Sequence, residues 1–403
     1  MSKKLAINGG KQVFSESPVL PTWPPVCPNV AEAMKNIYLS GKWSFNGPTE
    51  QKFATDFAEF HDAEHGIVMS NGTVTLESAL IALGIGPGDE VIVPALTWIA
   101  TAMAVVYVGA TPVFVDIEPD TWCLDPVKTA AAITPRTKAM IPVHIYGSMA
   151  DLEKLLELAD AHYLFVIEDC AHAHGGQWNG KGVGSIGTIG SFSFQQSKTL
   201  PSGEGGICLT NDSDLAEKLY QIKHIGYSNN TEQGKAADGP PEGLLCHNYR
   251  CTEFQAAVLA GGLEQLEGQT LTRDANADYL TGRLKSVPGV ELQKKGRLAT
   301  RQGYYCLGLN IDTSAMGDNI TLDDFIQALA AEGVNCNRTY GPVYDHKLWN
   351  VPAEKFRRTD CSTADKICCD SAIVFSHIWL LAERPVVEKL AEAIEKVALN
   401  LGR

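Results

Sequence analysis

Apolar and polar positions along this 403-residue chain change period many times. Between Gly66 and Thr210 short apolar runs alternate with stretches of helical spacing. The spacing predicts strands over Gly66–Met69, Glu90–Pro94, Pro112–Asp116, Ala139–His144 and Tyr163–Glu168. Between them it predicts helices from Ser70–Thr73 through Leu83, and over Ile99–Val108, Pro126–Ala132 and Met149–Ala161. Strands joined by helices imply an α/β fold with a mostly parallel sheet and helices on both faces. Upstream, Ala31–Leu39 and Pro48–His61 read as helices. Residues 1–25 carry Pro18, Pro21, Pro24 and Pro25 and read as an extended arm. Downstream come helix Ser213–His224, a polar Gly-rich stretch Gly226–Gly243 expected to be a mobile loop, and a long helix starting at Thr252–Leu266. Strand Tyr304–Asn310 and helices Leu322–Glu332 and Pro385–Leu399 follow. The expected division is an arm (1–25), a large domain (26–251), and a hinge helix with a smaller C-terminal α+β domain (252–403).

Composition narrows the partners. The net charge of −14 disfavours nucleic acid or an anionic membrane as the main partner, since both need a basic face. A few local cations would still suffice for an anionic small molecule. No apolar run approaches the roughly 20 residues that span a bilayer, and Met1–Lys4 with Leu5–Ile7 does not read as a signal peptide. The 11 cysteines are odd in number and form no C-x-x-C, so free thiols in a reducing cytoplasm are expected.

Candidate chemistry centres on Ser191–Gly206. An alternating strand with Phe192 and Phe194 ends in a polar turn holding Lys198, then Pro201 and the Gly-rich Gly203-Glu204-Gly205-Gly206. A lysine desolvated between two buried strands has a lowered pKa and can react as an amine nucleophile. An ordinary surface-turn lysine would fit the same pattern. Asp169 follows the apolar run Phe165-Val166-Ile167, at the strand end where parallel sheets bind ligands; a helix N-cap would also explain it. Gly72-Thr73 opens a helix, which is either a phosphate-binding N-terminus or a simple capped turn.

The order Ser-Phe-x-x-x-Lys-x-Leu-x-x-Gly-Glu-Gly-Gly resembles the cofactor-lysine segment of the DegT/StrS family of aminotransferases acting on keto sugars and keto cyclitols. The resemblance extends, with gaps, over nearly the whole chain. It implies the pyridoxal 5'-phosphate (PLP) transferase fold type I, the fold shared by aspartate aminotransferase and its relatives. It further implies that Lys198 carries the cofactor, that Asp169 pairs with its ring nitrogen, and that His172 lies beside it. By the same resemblance Gly72, Thr73 and Ser193 hold the phosphate and Trp98 stacks on the ring. Asn248, in Asn248-Tyr249-Arg250, reaches the phosphate of a neighbouring subunit's cofactor, which implies a homodimer with shared sites. Lys42, Trp43, Tyr304, Tyr340 and His377 resemble variable substrate-pocket segments.

The implied reaction moves an amino group from glutamine or glutamate to a ketone. Leu5–Lys11, Thr97–Ala102 and Ser376–Leu381 resemble the branch acting on scyllo-inosose-type cyclitols in aminoglycoside-like pathways. Asp169–Gly175 also resembles the branch making 3-amino-5-hydroxybenzoate. A nucleotide-linked keto sugar is a third choice, and a PLP-binding regulator without turnover a fourth. Dehydratase relatives carry His where this chain has Lys198. Two other motifs are set aside, and no metal is expected. His61-Asp62-Ala63-Glu64-His65 fits a reversed zinc-protease pattern but ends a helix before a strand. Gly182–Gly187 fits G-x-G-x-x-G but lacks the strand before it and the helix after it.

Overall fold

A computed structural model describes residues 4–229, 231, 234–235 and 239–402. Part of the expected Gly226–Gly243 loop lies outside these. The strands are β1 His65–Met69, β2 Glu90–Pro94, β3 Thr111–Val115, β4 Thr137–Met140, β5 Phe165–Asp169, β6 Gln177–Trp178, β7 Lys181–Gly182, β8 Ile189–Ser193, β9 Gly206–Thr210, β10 Val290–Leu292, β11 Ala299–Arg301, β12 Cys306–Ile311, β13 Asn337–Arg338, β14 Arg357–Arg358 and β15 Ala372–Ser376. The helices used below are α1 Pro28–Ser40, α2 Pro48–Phe60, α3 Gly72–Ala82, α4 Ala100–Tyr107, α5 Pro126–Ala132, α6 Leu152–His162, α7 Ser213–Lys223, α8 Glu253–Leu284, α9 Leu322–Ala331, α10 Ser362–Lys366, α11 Ile378–Leu381 and α12 Arg384–Asn400.

The large sheet has the order β1-β9-β8-β5-β4-β2-β3-β14. Its pairings are parallel from β8 through β14, and β9 runs antiparallel to both of its neighbours. Buried on both faces, β2 and β5 read as continuous apolar runs. The expected strand Ala139–His144 stops at Met140, because Pro142 cannot donate to a ladder. The chain then bends, and Val143 keeps a single bridge to Asp169.

The long helix expected to start over Thr252–Leu266 is α8, which runs 32 residues from Glu253 to Leu284. Its start is fixed by a capping box between Thr252 and Gln255. Beyond it, β10-β12-β15-β13 form an antiparallel sheet packed with α9, α12 and the end of α8 around Leu309, Phe325, Phe375 and Leu390. The C-terminal half does not stay apart from the first sheet. Residues 343–364 return to it: β14 pairs with β3, Val343 N–H donates to Ala95 O at 2.9 Å, and Asp116 accepts from Thr363 N and Ala364 N at the start of α10.

The lysine hairpin β8–β9 is anchored by aromatics. Phe192 and Phe194 are fully buried and meet Phe53 and Phe57 of α2 edge-on at 5.1–5.5 Å. Each such ring contributes about 1.5–3 kcal/mol by burial, so the strand preceding Lys198 is held firmly.

Candidate active site

Four strand ends converge at one edge of the sheet. β5 ends in Asp169, β8 in Ser193, β1 leads into α3 at Gly72, and β2 leads through Thr97-Trp98 into α4. They border a cavity of about 610 Å³, lined among others by Gly72, Thr73, Trp98, Asp169, His172, Ser193, Lys198, Tyr305 and Tyr340. That volume suits a cofactor and a small substrate.

Asp169 is buried. Its Oδ2 accepts from Thr101 Oγ1 at 2.8 Å, Thr101 is joined to Thr97 at 2.8 Å, and Oδ1 accepts from Ala171 N at 3.2 Å. Burial pushes its pKa up; the Thr101 and Ala171 bonds and the charge of Lys198 oppose this but do not cancel it. Such a carboxylate would be relieved by a cation placed against it. The preceding Glu168 points to the opposite face. It is fully buried and accepts from Gly184, Ile186 and Gly187 N–H at 2.6–2.9 Å and from His144 Nε2 at 3.2 Å. Burial alone would raise its pKa, yet these bonds hold it below the usual value. With Cys170, this pair is the only cluster of metal-ligating groups among the described residues. Its His144 and Glu168 are already committed to hydrogen bonds, His144 Nδ1 accepting from Ala150 N at 3.2 Å.

Lys198 sits on the turn after β8, its N–H bonded to Gln195 O at 2.8 Å. Its stem is partly exposed and its ammonium end is enclosed, 4.5 Å from the Tyr305 ring centroid. Burial lowers its pKa to about 8, against the pull of Asp169 and Cys306 in the other direction. His174 ties the two ends of this turn together, through Ser193 O at 2.9 Å and Thr199 Oγ1 at 3.2 Å. His172 lies between Tyr146 and Tyr305, stacked on the latter at 4.1 Å, and its Nδ1 accepts from Tyr146 N. Burial keeps His172 neutral, its pKa well below 6.5.

At the other end of the cavity, α3 abuts β8. A Cβ on Gly72 would lie 2.5 Å from Ser193 Cβ, so only glycine lets the helix start come this close. Asn71 Oδ1 caps Thr73 N and Val74 N at 3.0 Å, and the Thr73 and Ser193 hydroxyls border the same space. Trp98 forms the mouth, 43% exposed and edge-on to Tyr340 and His346 at 5.3 and 5.7 Å.

Residues 28–394 match the DegT/DnrJ/EryC1/StrS aminotransferase family. The chain belongs to this family. It is 37% identical to the L-glutamine:2-deoxy-scyllo-inosose aminotransferase of Streptoalloteichus tenebrarius, over 100% of this chain and 99% of that one. It is also 37% identical to the L-glutamine:scyllo-inosose aminotransferase of Streptomyces griseus, with the same coverage. Among solved structures, 3-amino-5-hydroxybenzoic acid (AHBA) synthase matches with a TM-score of 0.84 and 30% identity, covering 94% of this chain and 98% of that one. As a family member the chain is a PLP-dependent aminotransferase of the expected fold class.

Of the expected site residues, Gly72, Thr73, Trp98, Asp169, His172, Ser193, Lys198 and Tyr340 line one cavity. Other expected site residues lie elsewhere. Tyr304 is 5% exposed in the C-terminal core, and it is Tyr305 that faces the cavity. Tyr304 precedes β12 with a left-handed backbone (φ 43°), which turns the two neighbours apart, and the sequence does not say which tyrosine points in. His377 is buried behind Tyr305, ring centroids 6.3 Å apart. Lys42 and Trp43 are exposed beside α8, Trp43 packing on Tyr38 and Phe254. Asn248 is exposed and borders no part of this cavity, and Arg250 lies over the Phe45 ring. His61 of the set-aside zinc pattern is buried with Nδ1 against Val183 O, while His65 bonds Ser213 at the surface. Sequence reading missed Thr97 and Thr101, although four-residue spacing at a helix start would put both hydroxyls on one face.

Proposed function

We propose that this aminotransferase carries PLP on Lys198 and transfers the amino group of L-glutamine to a keto-cyclitol of the scyllo-inosose type. The observation that carries the reading is an enclosed lysine of lowered pKa and a buried carboxylate with no ion pair among the described residues, both lining one cavity at the sheet edge. The residues fit the cofactor: a helix start with two hydroxyls for its phosphate, an enclosed amine for its aldehyde, and Asp169 for its ring nitrogen. The bound cofactor would supply the electron sink for cleaving the donor's Cα–H bond.

The chain's own groups do the rest. Asp169, held by Thr101 and Ala171, keeps a negative charge at a fixed point and so keeps an apposed ring nitrogen protonated. Lys198 Nζ, its pKa lowered to about 8 by burial, would take the proton from the donor's α-carbon and give it up to the cofactor's carbon within the same half-reaction; in the second half it would carry a proton the opposite way, onto the acceptor's carbon. The start of α3, where Asn71 Oδ1 now accepts from Thr73 N and Val74 N, would hold the phosphate with those amides, the Thr73 and Ser193 hydroxyls and the helix dipole. Trp98 at the mouth and the stacked His172–Tyr305 pair would border the bound cofactor and exclude water.

Two observations support the acceptor class. The relatives above act on inososes by name. Besides Asp169, which the cofactor's ring nitrogen would occupy, the cavity is lined by the carboxylates of Glu77 and Glu204. Carboxylates are good acceptors for the hydroxyls of a cyclitol. We also propose that two copies share their sites. Asn248, Trp43 and the exposed apolar Tyr38, Leu39 and Leu245 would then face the neighbour, and light scattering should give twice 43.5 kDa.

The deciding experiment is the half-reaction. PLP-loaded protein is mixed with L-glutamine without acceptor, beside Lys198→Ala. Loss of the visible cofactor band and formation of the aminated cofactor, absent in the variant, are expected. Scyllo-inosose, 2-deoxy-scyllo-inosose and a nucleotide-linked keto sugar are then compared as acceptors. A band that no amino donor discharges would refute turnover, and preference for the nucleotide sugar would refute the cyclitol assignment.

A further inference from the structure

Lys198 is held from a second side by a residue far away in sequence. Trp23, in the N-terminal arm, donates its indole Nε1–H to the Lys198 carbonyl at 3.1 Å. The lysine turn is also held by Lys198 N–H on Gln195 O, Gln196 N–H on Gly203 O, Ser202 N–H on Phe194 O, Ser197 Oγ with Tyr305 OH at 2.9 Å, and His174 with Thr199. Among the described residues Trp23 is the one donor to the Lys198 carbonyl.

The indole is itself fixed on two more faces. His377, just ahead of α11, meets it edge-on at 4.6 Å. The guanidinium of Arg273, on α8, lies 5.5 Å from its ring centroid. Arg273 is fully buried; its Nη2 reaches Gln269 Oε1 at 3.5 Å, and its Nε and Nη1 have no hydrogen-bond partner among the described residues. Burial lowers its pKa to about 9. A buried guanidinium without a carboxylate is costly, and the indole face offers it compensation that is strongest when desolvated. Such a charge retained under one tryptophan marks that tryptophan's position as specified.

Resting on the assignment of Lys198 as the reactive amine, we propose that Trp23 is a positioning residue for it: the N-terminal arm, clamped by Arg273 and His377, fixes the lysine backbone and so keeps the amine enclosed. The arm, the long helix and the small domain thereby meet at the residue that does the chemistry. Removing the indole N–H takes away the one side-chain hold on the Lys198 carbonyl, so the lysine backbone loosens, the amine gains water and becomes more basic. The groups facing that amine are Asp169 on β5, His172 and His174 after it, and Tyr305 and Cys306 at the start of β12. Trp23→Phe changes none of them and keeps an aromatic face for Arg273.

The test uses full-length protein stripped of cofactor with hydroxylamine. It is pulse-labelled with acetic anhydride across pH 6–11, and each lysine is quantified by peptide mass spectrometry. In the parent, Lys198 should show a midpoint near pH 8. In Trp23→Phe its labelling at pH 7 should be about threefold slower, the change produced by a rise of about half a pH unit in its pKa. Exposed Lys52 and buried Lys396 should keep their parental rates. A Lys198 profile in Trp23→Phe that superimposes on the parent overturns the proposal while leaving the lysine assignment standing. A change shared by Lys396 means general loosening and also overturns it. A parental Lys198 that titrates like an ordinary lysine refutes the assignment itself.

Discussion

Replacing the lysine that does the chemistry should make the cofactor-free protein more stable. The folded chain holds Lys198 at about 8, whereas unfolded lysine titrates near 10.5. Between these pH values the unfolded chain binds more protons than the folded one, so stability rises with pH across that window. Below pH 8 the folded state carries the full penalty of an enclosed ammonium. The separation corresponds to about 3 kcal/mol, and allowing for the water that reaches the partly exposed stem leaves about 2–3 kcal/mol. Lys198→Met keeps the shape of the neutral side chain and removes the charge. Urea unfolding of cofactor-free parent and variant, at equal protein concentration, measures the difference. The variant should be about 2–3 kcal/mol more stable at pH 7, and the gap should shrink as pH approaches 10. A variant no more stable than the parent at pH 7, or a gap that does not change with pH, would refute the reasoning. The expected result is a stability–activity trade-off located at one atom.

The same geometry sets three further outcomes. Gly72→Ala puts a methyl 2.5 Å from Ser193 Cβ; the overpacking costs about 1–3 kcal/mol and should weaken PLP binding correspondingly in a fluorescence titration. Asp169→Asn should still bind the cofactor yet slow the glutamine half-reaction about a hundredfold or more, read by stopped-flow absorbance. Glu168 has a depressed folded pKa, so its contribution is present above 4.5 and lost as pH falls through the folded value. Glu168→Gln should therefore lower stability at pH 7 by about 1.5–3 kcal/mol and flatten the acid branch of the stability curve.

Much of this was legible in the residues because periodicity and site chemistry coincide at strand ends. β2 and β5 carry apolar runs and β8 alternates, and each leads to a polar residue, Thr97, Asp169 and Ser193 respectively, that borders the cavity. What stayed hidden depends on long-range contact or on side-chain direction. Tyr304 and Tyr305 are adjacent and chemically identical, and only the packing of Tyr304 in the C-terminal core separates their roles. β13 and β14 are two residues each, too short for any period to register. The indole of Trp23 reaches a carbonyl 175 positions away, a distance at which local pattern carries no signal.

The return of residues 343–364 to the first sheet bears on how the protein can be divided. A fragment ending before α8 would contain every residue of the parallel sheet except β14. Its outermost strand, β3, would then present unpaired backbone groups beside Phe114, which Tyr344, Trp349 and Phe356 cover in the whole chain. Asp116 would lose the two amides it accepts from, and Glu90 would lose Arg357. A bare strand edge next to an uncovered aromatic is a template for self-association. The large lobe made alone should therefore aggregate, and adding residues 340–366 in trans is the economical way to keep it in solution.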